Sequence, residues 1–480
     1  MSPTRSLYRQ LADDFATSIR GGTLKAGERV PSVRELSRDR GLSLATVVHA
    51  YEVLEAEGFI ETRPRSGFYV SGAWQTTPRA AREAPVRPRE PRTTRVDVSE
   101  LVFQVLESVR DREVVPLGSA FPSPVLFPLA RLARCLSTAA RQMNPWSTLD
   151  DLPPGSAELR NQIARRYLRS GARVSPEEIV ITSGALEGLN LSLQVLTRPG
   201  DIVAIESPAF YGCLQAIEAL RLRAIEIPTL PGEGADVAAL ARILRKHPVR
   251  ACWLMTQFQN PRGALMPEEA KKELVALLEK HDTALIEDDV YAELYFGRRP
   301  KPAKAFDRNG RVLHCSSFAK CLAPGYRVGW VAAGRFATAL QRRKIMSSLS
   351  TSIPAQDAIA IYLREGGYER HLAGLRRTFA SQQAAALASL TRHLPPGFRV
   401  IRPEGGYFLW IELPAGHDAI DIHAKALEQG FSIAPGPIFS VQRQFRNCLR
   451  LNYGHEWSAA FDAAVRRLGE IVRTAARAAA

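Results

Sequence analysis

The chain has 480 residues, enough for more than one domain, and its 45% hydrophobic and 24% charged residues are the balance of a globular protein. No apolar run is long enough to span a bilayer and Met1 to Phe15 has no signal-peptide core, which argues against a membrane or secreted protein and leads us to expect a cytoplasmic (nucleoid-associated) one. The formal charge of +15 permits nucleic-acid binding without requiring it, and six scattered cysteines (135, 213, 252, 315, 321, 448) speak against a zinc site or a disulfide framework.

Residues 1–72 carry ten Lys and Arg against nine Asp and Glu, so pattern rather than charge marks this head. Leu7, Leu11, Phe15 and Ile19 recur at helical spacing, and Gly21-Gly22 ends the run. Ser32 and Glu35 form a capping box that opens a short helix closed by Gly41. Ser43 caps a third helix that turns Val47, Ala50, Tyr51 and Leu54 inward and ends at Gly58. Two short strands, Phe59 to Thr62 and Phe68 to Val70, follow around Arg63-Pro64-Arg65-Ser66-Gly67. Short helix, tight turn, second helix and basic hairpin predict a winged helix-turn-helix.

The runs Gly27-Glu28-Arg29-Val30-Pro31-Ser32-Val33-Arg34-Glu35-Leu36, Thr46-Val47-Val48-His49-Ala50-Tyr51 and Glu57-Gly58-Phe59-Ile60 resemble the GntR-type winged-helix domain of bacterial regulators over residues 6–72. The resemblance implies that Arg34, the helix start at Ser43, Leu44, Ala45 and Thr46, and the wing glycine Gly67 approach double-stranded DNA. Arg34, Arg63 and Arg65 suit phosphates, while Ser43, Ala45 and Thr46 suit base edges or thymine methyls. Leu44 stands where many relatives carry arginine. Residues 73–95, with four prolines among six arginines and no apolar periodicity, are expected to form an extended, flexible linker.

From Val96 onward strand and helix patterns alternate, which predicts an α/β fold with a mostly parallel sheet. Glu178 to Thr182 reads as a strand and Leu186 to Leu196 as a helix, joined by Ser183-Gly184-Ala185; a small-residue turn at a helix N-terminus can hold an anion. Asp201 to Ile205 is a strand leading to Phe210, an aromatic ring able to stack on a heteroaromatic one. Ala251 to Met255 leads to Asn260-Pro261, and Ala284 to Ile286 to Asp288 and Tyr291. A carboxylate at a buried strand end needs a partner, and a protonated pyridine nitrogen would serve. Strand Val312 to Phe318 then leads to Lys320, and Pro324-Gly325 turns the chain to Arg327 and a strand from Val328 to Ala333. Desolvation at such a strand end frees an amine to attack a carbonyl, and Ser317 with Arg327 suits a phosphate.

That order resembles the fold-type-I, aspartate-aminotransferase-like enzymes from about Val115 to the C-terminus. The resemblance implies pyridoxal 5'-phosphate bound as an aldimine on Lys320, with Asp288 on the pyridine nitrogen, Tyr291 and Asn260 on the ring oxygen and Phe210 stacked on the ring. It implies that the Gly184-Ala185-Leu186 backbone, Ser317 and Arg327 hold the phosphate. It further implies that Arg450, in Cys448 to Tyr453, grips a substrate carboxylate beside Asn260, that Pro435-Gly436 and Phe439 lie in a mobile lid, and that the body is a homodimer. Head, linker and body together resemble the MocR-type subgroup of GntR-family regulators. The expected layout is 1–72 head, 73–95 linker and 96–480 body, divided into a large domain of about 115–350 and a smaller C-terminal α+β domain of about 351–480. The implied function is transcription regulation in response to an amino compound, amino acid or B6 vitamer through aldimine chemistry at Lys320. The alternative is an active aminotransferase that carries a DNA-binding head.

Overall fold

The computed structural model describes residues 7–20, 23–56, 58–63, 66–71, 93–96, 98–100, 102–103, 113–143, 146 and 152–478. The Gly21-Gly22 turn, Glu57, Pro64, Arg65 and linker residues 73–92 lie outside the described residues. The chain separates into two compact units, an N-terminal head and a large body.

The head packs three helices, α1 (Leu7–Arg20), α2 (Val33–Arg40) and α3 (Leu44–Ala56), against the hairpin of β1 (Ile60–Arg63) and β2 (Gly67–Val70). Ser32 accepts from the Glu35 amide and the Glu35 carboxylate accepts from the Ser32 amide, so α2 begins on the expected capping box. Gly41 ends it at φ 62°, a left-handed conformation that favours glycine. Ser43 Oγ accepts from the Thr46 amide at 3.1 Å and starts α3. Leu11, Phe15, Ile19, Val47, Tyr51, Leu54 and Ile60 form one buried core, as their spacing predicts. A further wing edge has no signal in the residue pattern: residues 27–30 run beside β2, with Val30 N bonded to Phe68 O at 3.0 Å.

In the body, β3 (Thr94–Arg95), β4 (Ile179–Thr182), β5 (Ile202–Ser207), β6 (Arg223–Leu230), β7 (Gly234–Ala235), β8 (Val249–Leu254), β9 (Ala284–Asp288), β10 (Val312–Ser317) and β11 (Gly329–Ala332) form one sheet among the described residues. Its order is β3-β6-β5-β8-β9-β10-β11-β4, with β7 paired to β6. Neighbours from β6 to β10 run parallel, and β11 is antiparallel to both β10 and β4. The parallel strands are apolar on both faces because helices cover both, and two buried clusters line the sheet. Thr94 and Arg95, expected at the end of the linker, are instead an edge strand on β6. A second sheet, β12 (Arg399–Val400), β13 (Phe408–Glu412), β14 (Ala434–Pro435) and β15 (Cys448–Asn452), runs in the order β12-β13-β15-β14 and is wholly antiparallel. All six cysteines are buried and free.

Candidate functional site

The candidate residues of the body gather at the carboxyl ends of the parallel strands, where open α/β sheets bind ligands. Asp288 ends β9 and pairs in register with Cys315 of β10. Lys320 follows β10 in a turn in which the Leu322 and Ala323 amides both bond Phe318 O at 2.9 Å. A 3-10 turn, Pro324–Tyr326, then leads to Arg327 at φ 51°, a left-handed conformation that costs a non-glycine residue on the order of 1 kcal/mol or more.

Asp288 is 1% exposed and its Oδ1 has no hydrogen-bond partner. Burial, and then the charge of Asp289, raise its pKa to about 7. Lys320 is driven the other way: burial, then the Arg450 and Arg327 charges, lower its amine to about 7 against the pull of Asp288. The two groups of opposite charge type thus titrate in the same range, and the lysine can be neutral near neutral pH. Asp289 faces a different wall. Its Oδ2 takes the Gln257 amide at 2.9 Å and His314 Nε2 at 2.8 Å, and His314 Nδ1 meets the Tyr167 hydroxyl at 2.7 Å. Burial opposes charge on His314, but Asp289 outweighs it and holds the imidazole above its ordinary value.

Gly184, Ala185 and Leu186 open the helix Ala185–Leu196, which has no side-chain cap. Gly184 sits at φ 87°, and a Cβ there would meet Arg327 Nη2 at 2.4 Å. A Cβ at Gly329 would meet the Gly184 carbonyl carbon at 2.6 Å. Two glycines therefore let Arg327 and β11 close on the helix start, and an uncapped helix N-terminus beside a guanidinium is a fit for an anion. Ser317 is buried, and its Oγ accepts from the Ala319 amide at 3.4 Å. Leu186 is 47% exposed, which leaves its backbone as the part that faces this cradle.

Asn260 Oδ1 accepts from Arg450 Nη1 at 2.8 Å, while Asn260 Nδ2 and Arg450 Nε have no partner. Arg450, on β15, is 1% exposed and lies over the Phe408 and Phe439 rings at 4.3 and 5.3 Å. Tyr291 is buried edge-on to Tyr407 and Phe408. Phe210 packs on Tyr211 with ring centres 4.8 Å apart. In the segment expected to be a lid, Pro435 belongs to β14, Gly436–Phe439 is a 3-10 helix, and every one of these residues is buried.

One element escaped sequence reasoning. The strap Gly118–Phe121 lends consecutive carbonyls to the candidate side chains and their neighbours. Gly118 O accepts from Arg450 Nη2 at 2.8 Å and Ala120 O from Lys320 Nζ at 2.9 Å. Tyr407 also donates to Ala120 O at 3.1 Å, and Asn452 Nδ2 donates to Ser119 O and Phe121 O at 2.9 and 2.7 Å. The Phe121 ring covers Lys320 Nζ at 4.3 Å. Apart from the Phe121 ring, the strap works through its backbone, so residue types carry little signal beyond Gly118, where a Cβ would meet the Ile433 carbonyl carbon at 2.5 Å.

In the head, Arg34, Ser43, Leu44 and Ala45 are exposed and Thr46 is half-buried. Arg63 donates twice to Glu61, at 3.0 and 2.9 Å, and stacks on Tyr69. Gly67 opens β2 at φ 108°. Arg65 lies outside the described residues. Among the described residues no cluster of His, Cys, Asp and Glu has the arrangement of a metal site, and no helix is long and apolar enough to cross a membrane.

Residues 141–468 match the model of aminotransferase class I and II, and residues 7–70 match that of bacterial regulatory proteins, gntR family. An uncharacterized HTH-type transcriptional regulator, YdcR of Escherichia coli, is 47% identical over 97% of this chain and 99% of its own length. The probable rhizopine catabolism regulatory protein MocR of Rhizobium meliloti is 28% identical over 92% of this chain and 87% of its own. Among solved structures, the α-aminoadipate aminotransferase LysN of Thermus thermophilus, complexed with N-(5'-phosphopyridoxyl)-L-leucine, superposes with a TM-score of 0.73 at 30% identity, covering 80% of this chain and 97% of that one.

Proposed function

We propose that this chain, which belongs to the MocR-type regulators of the gntR family with a body of the class I and II aminotransferases, regulates transcription by sensing an amino compound with pyridoxal 5'-phosphate held at Lys320. The observation that carries the reading is the strap, which bonds both the lysine that would hold the cofactor and the arginine that would hold a carboxylate. The cofactor supplies, when bound, an electrophilic carbon and an electron sink.

The residues present fit that group. The buried, unpartnered Oδ1 of Asp288 needs a donor such as a protonated ring nitrogen. The uncapped helix at Gly184, Ala185 and Leu186, with Ser317 and Arg327, suits its phosphate. Asn260 Nδ2 and Tyr291 are assigned to its ring oxygen and Phe210 to its ring face. Support comes from the pyridoxyl–amino acid bound in the solved relative. Lys320, near pKa 7, offers a neutral amine for attachment and takes up a proton when an incoming amine displaces it. A carboxylate on that amine would compete with Gly118 O for Arg450, and a displaced Lys320 amine would be free to donate again to Ala120 O. The strap thereby gives an effector differential contacts with two states of the body, which is what a shift in DNA affinity requires.

The body is proposed to act as a homodimer. Leu186, Ile345, Met346 and Leu349 expose 45 to 82% of their surface on two helices joined by the Lys344–Glu187 ion pair, beside the phosphate cradle. Sedimentation of the full chain tests this, and a monomeric mass would refute it.

The sensing reading is tested by titrating the pyridoxal phosphate-loaded protein with amines, amino acids and B6 vitamers. Visible absorbance and DNA binding are followed together, and keto product is assayed. A spectral change that moves DNA affinity without turnover supports a sensor. Rapid, stoichiometric turnover with no change in DNA affinity overturns it in favour of an enzyme.

A further inference from the structure

The leading end of α3 has a surface that narrows which DNA it can read. Leu44, Ala45 and Val48 point outward, with Leu44 51% and Val48 41% exposed, while Val47, Ala50, Tyr51 and Leu54 fill the core. No Lys, Arg, Asn or Gln occurs anywhere in Leu44–Ala56. The hydroxyls at the helix start already serve its cap: Ser43 Oγ and Thr46 Oγ1 are 2.8 Å apart, and Ser43 Oγ also takes the Thr46 amide. His49 lies 3.3 Å from Glu52 and edge-on to Tyr8. In the wing, Arg63 is committed to Glu61 and Tyr69.

In the major groove guanine is read by a bidentate arginine or lysine and adenine by asparagine or glutamine. α3 supplies none of these. The base-edge feature that aliphatic side chains complement is the C5-methyl of thymine. The charge for the backbone sits elsewhere, on the exposed Arg34, Arg38 and Arg40 of α2, and phosphate contacts position a protein without specifying sequence. We infer that Leu44 and Val48, one helical turn apart with Ala45 between them, read thymine methyl groups, so that the operator half-site is set by thymines under the first two turns of α3. This rests on the DNA-binding reading of the head.

The test uses the full-length protein at one fixed salt concentration. A pool of duplexes with a random core is selected for binding. The selected duplex is then remade with deoxyuridine replacing thymidine one position at a time, a change of one methyl group. Thymines under α3 are expected to lose about fourfold in affinity each, the worth of one buried methyl. Leu44→Ala is expected to bind the thymine and uracil duplexes alike at one of these positions, and Val48→Ala at another. Both side chains are exposed, so neither change opens the core. Leu44→Met, which keeps the aliphatic contact, is expected to retain the discrimination. Uracil duplexes that bind as tightly as thymine at every position overturn the inference, as does full discrimination in both alanine variants. A selection that enriches no sequence fails one step earlier and removes the DNA-binding reading itself.

Discussion

The head and the body treat buried polar groups in opposite ways. Among the described residues of the head no buried side-chain nitrogen or oxygen lacks a partner, and what it offers to a ligand is on its surface. The body leaves Asp288 Oδ1, Asn260 Nδ2 and Arg450 Nε buried and unmet, and Glu206 Oε2 as well. Each such atom costs about 1–3 kcal/mol. The body also leaves Gln382 Oε1, His423 Nδ1 and Arg467 Nε unmet on the helices Tyr368–His393, Ala419–Glu428 and Ala459–Ala478, so the cost alone marks no site; at Asp288, Asn260 and Arg450 it coincides with the strand ends and the strap, where a ligand would remove it. The contrast also separates two kinds of substitution: those in the body trade stability against binding, and those in the head change stability alone or surface chemistry alone.

The largest expected effect is at Lys320. Lys320→Ala is expected to abolish covalent attachment of pyridoxal phosphate, so that borohydride reduction followed by intact mass finds no added cofactor. In the unsubstituted protein the rate of attachment follows the neutral amine. With a pKa lowered to about 7, that rate should climb up to pH 7 and be level by pH 8.5. A rate still rising at pH 10 would mean an ordinary, solvated lysine and would break the contrast at its centre.

Asp288→Asn tests the trade directly. Removing the charge should weaken pyridoxal phosphate binding roughly 10- to 100-fold, the range for a hydrogen bond to a charged group. The same change should stabilise the cofactor-free protein. The folded pKa is raised from 3.8 to about 7. Below pH 3.8 the carboxyl is neutral in both states and Asn gains nothing. From there to pH 7 the unfolded chain ionises first, the penalty of the buried charge grows, and above pH 7 it is level. The gain above pH 7 is on the order of 4 kcal/mol. Denaturant midpoints at pH 4 and pH 8 measure it. Equal midpoints for the two proteins at pH 8 would show that Asp288 carries no unmet cost.

Much of this was legible in the sequence, for physical reasons that differ by element. Caps, apolar spacing and turn glycines are local, so Ser32, Gly41 and Ser43 fixed the head correctly, and alternating patterns placed β4, β5, β8, β9 and β10 within a residue or two. Lys320, Asp288 and Asn260 could be named because their chemistry is in the side chain and each lies at or beyond a strand end, and Arg450 through the resemblance of Cys448 to Tyr453. The strap could not, because it acts through the carbonyls of Gly118–Phe121, which every residue has. The buried chain from Asp289 through His314 to Tyr167 was equally silent, since its members are 147 residues apart in the case of Tyr167 and His314.

A smaller effect is expected at Gly184. Gly184→Ala forces a side chain into a left-handed backbone and toward Arg327 Nη2, so Arg327 must shift. The phosphate cradle should weaken while the ring sites stay intact. Pyridoxal phosphate affinity is therefore expected to fall about tenfold, and affinity for pyridoxal, which lacks the phosphate, to change little. Equal losses for both ligands would move the phosphate away from this helix start.

The smallest effect belongs to the head and completes the contrast. Ser32→Ala removes the acceptor for the Glu35 amide and breaks the reciprocal cap of α2, at a cost of about 1 kcal/mol. No ligand replaces what is lost, because the cap is a contact of the head with itself. Amide hydrogen exchange of the full chain is expected to quicken across α2 and α3 and to stay unchanged in β8, β9 and β10, with cofactor affinity unaltered. A change in cofactor binding on this substitution would mean that the stability of the head and the chemistry of the body are one cooperative property, and the division between a satisfied head and an unmet body would no longer describe the molecule.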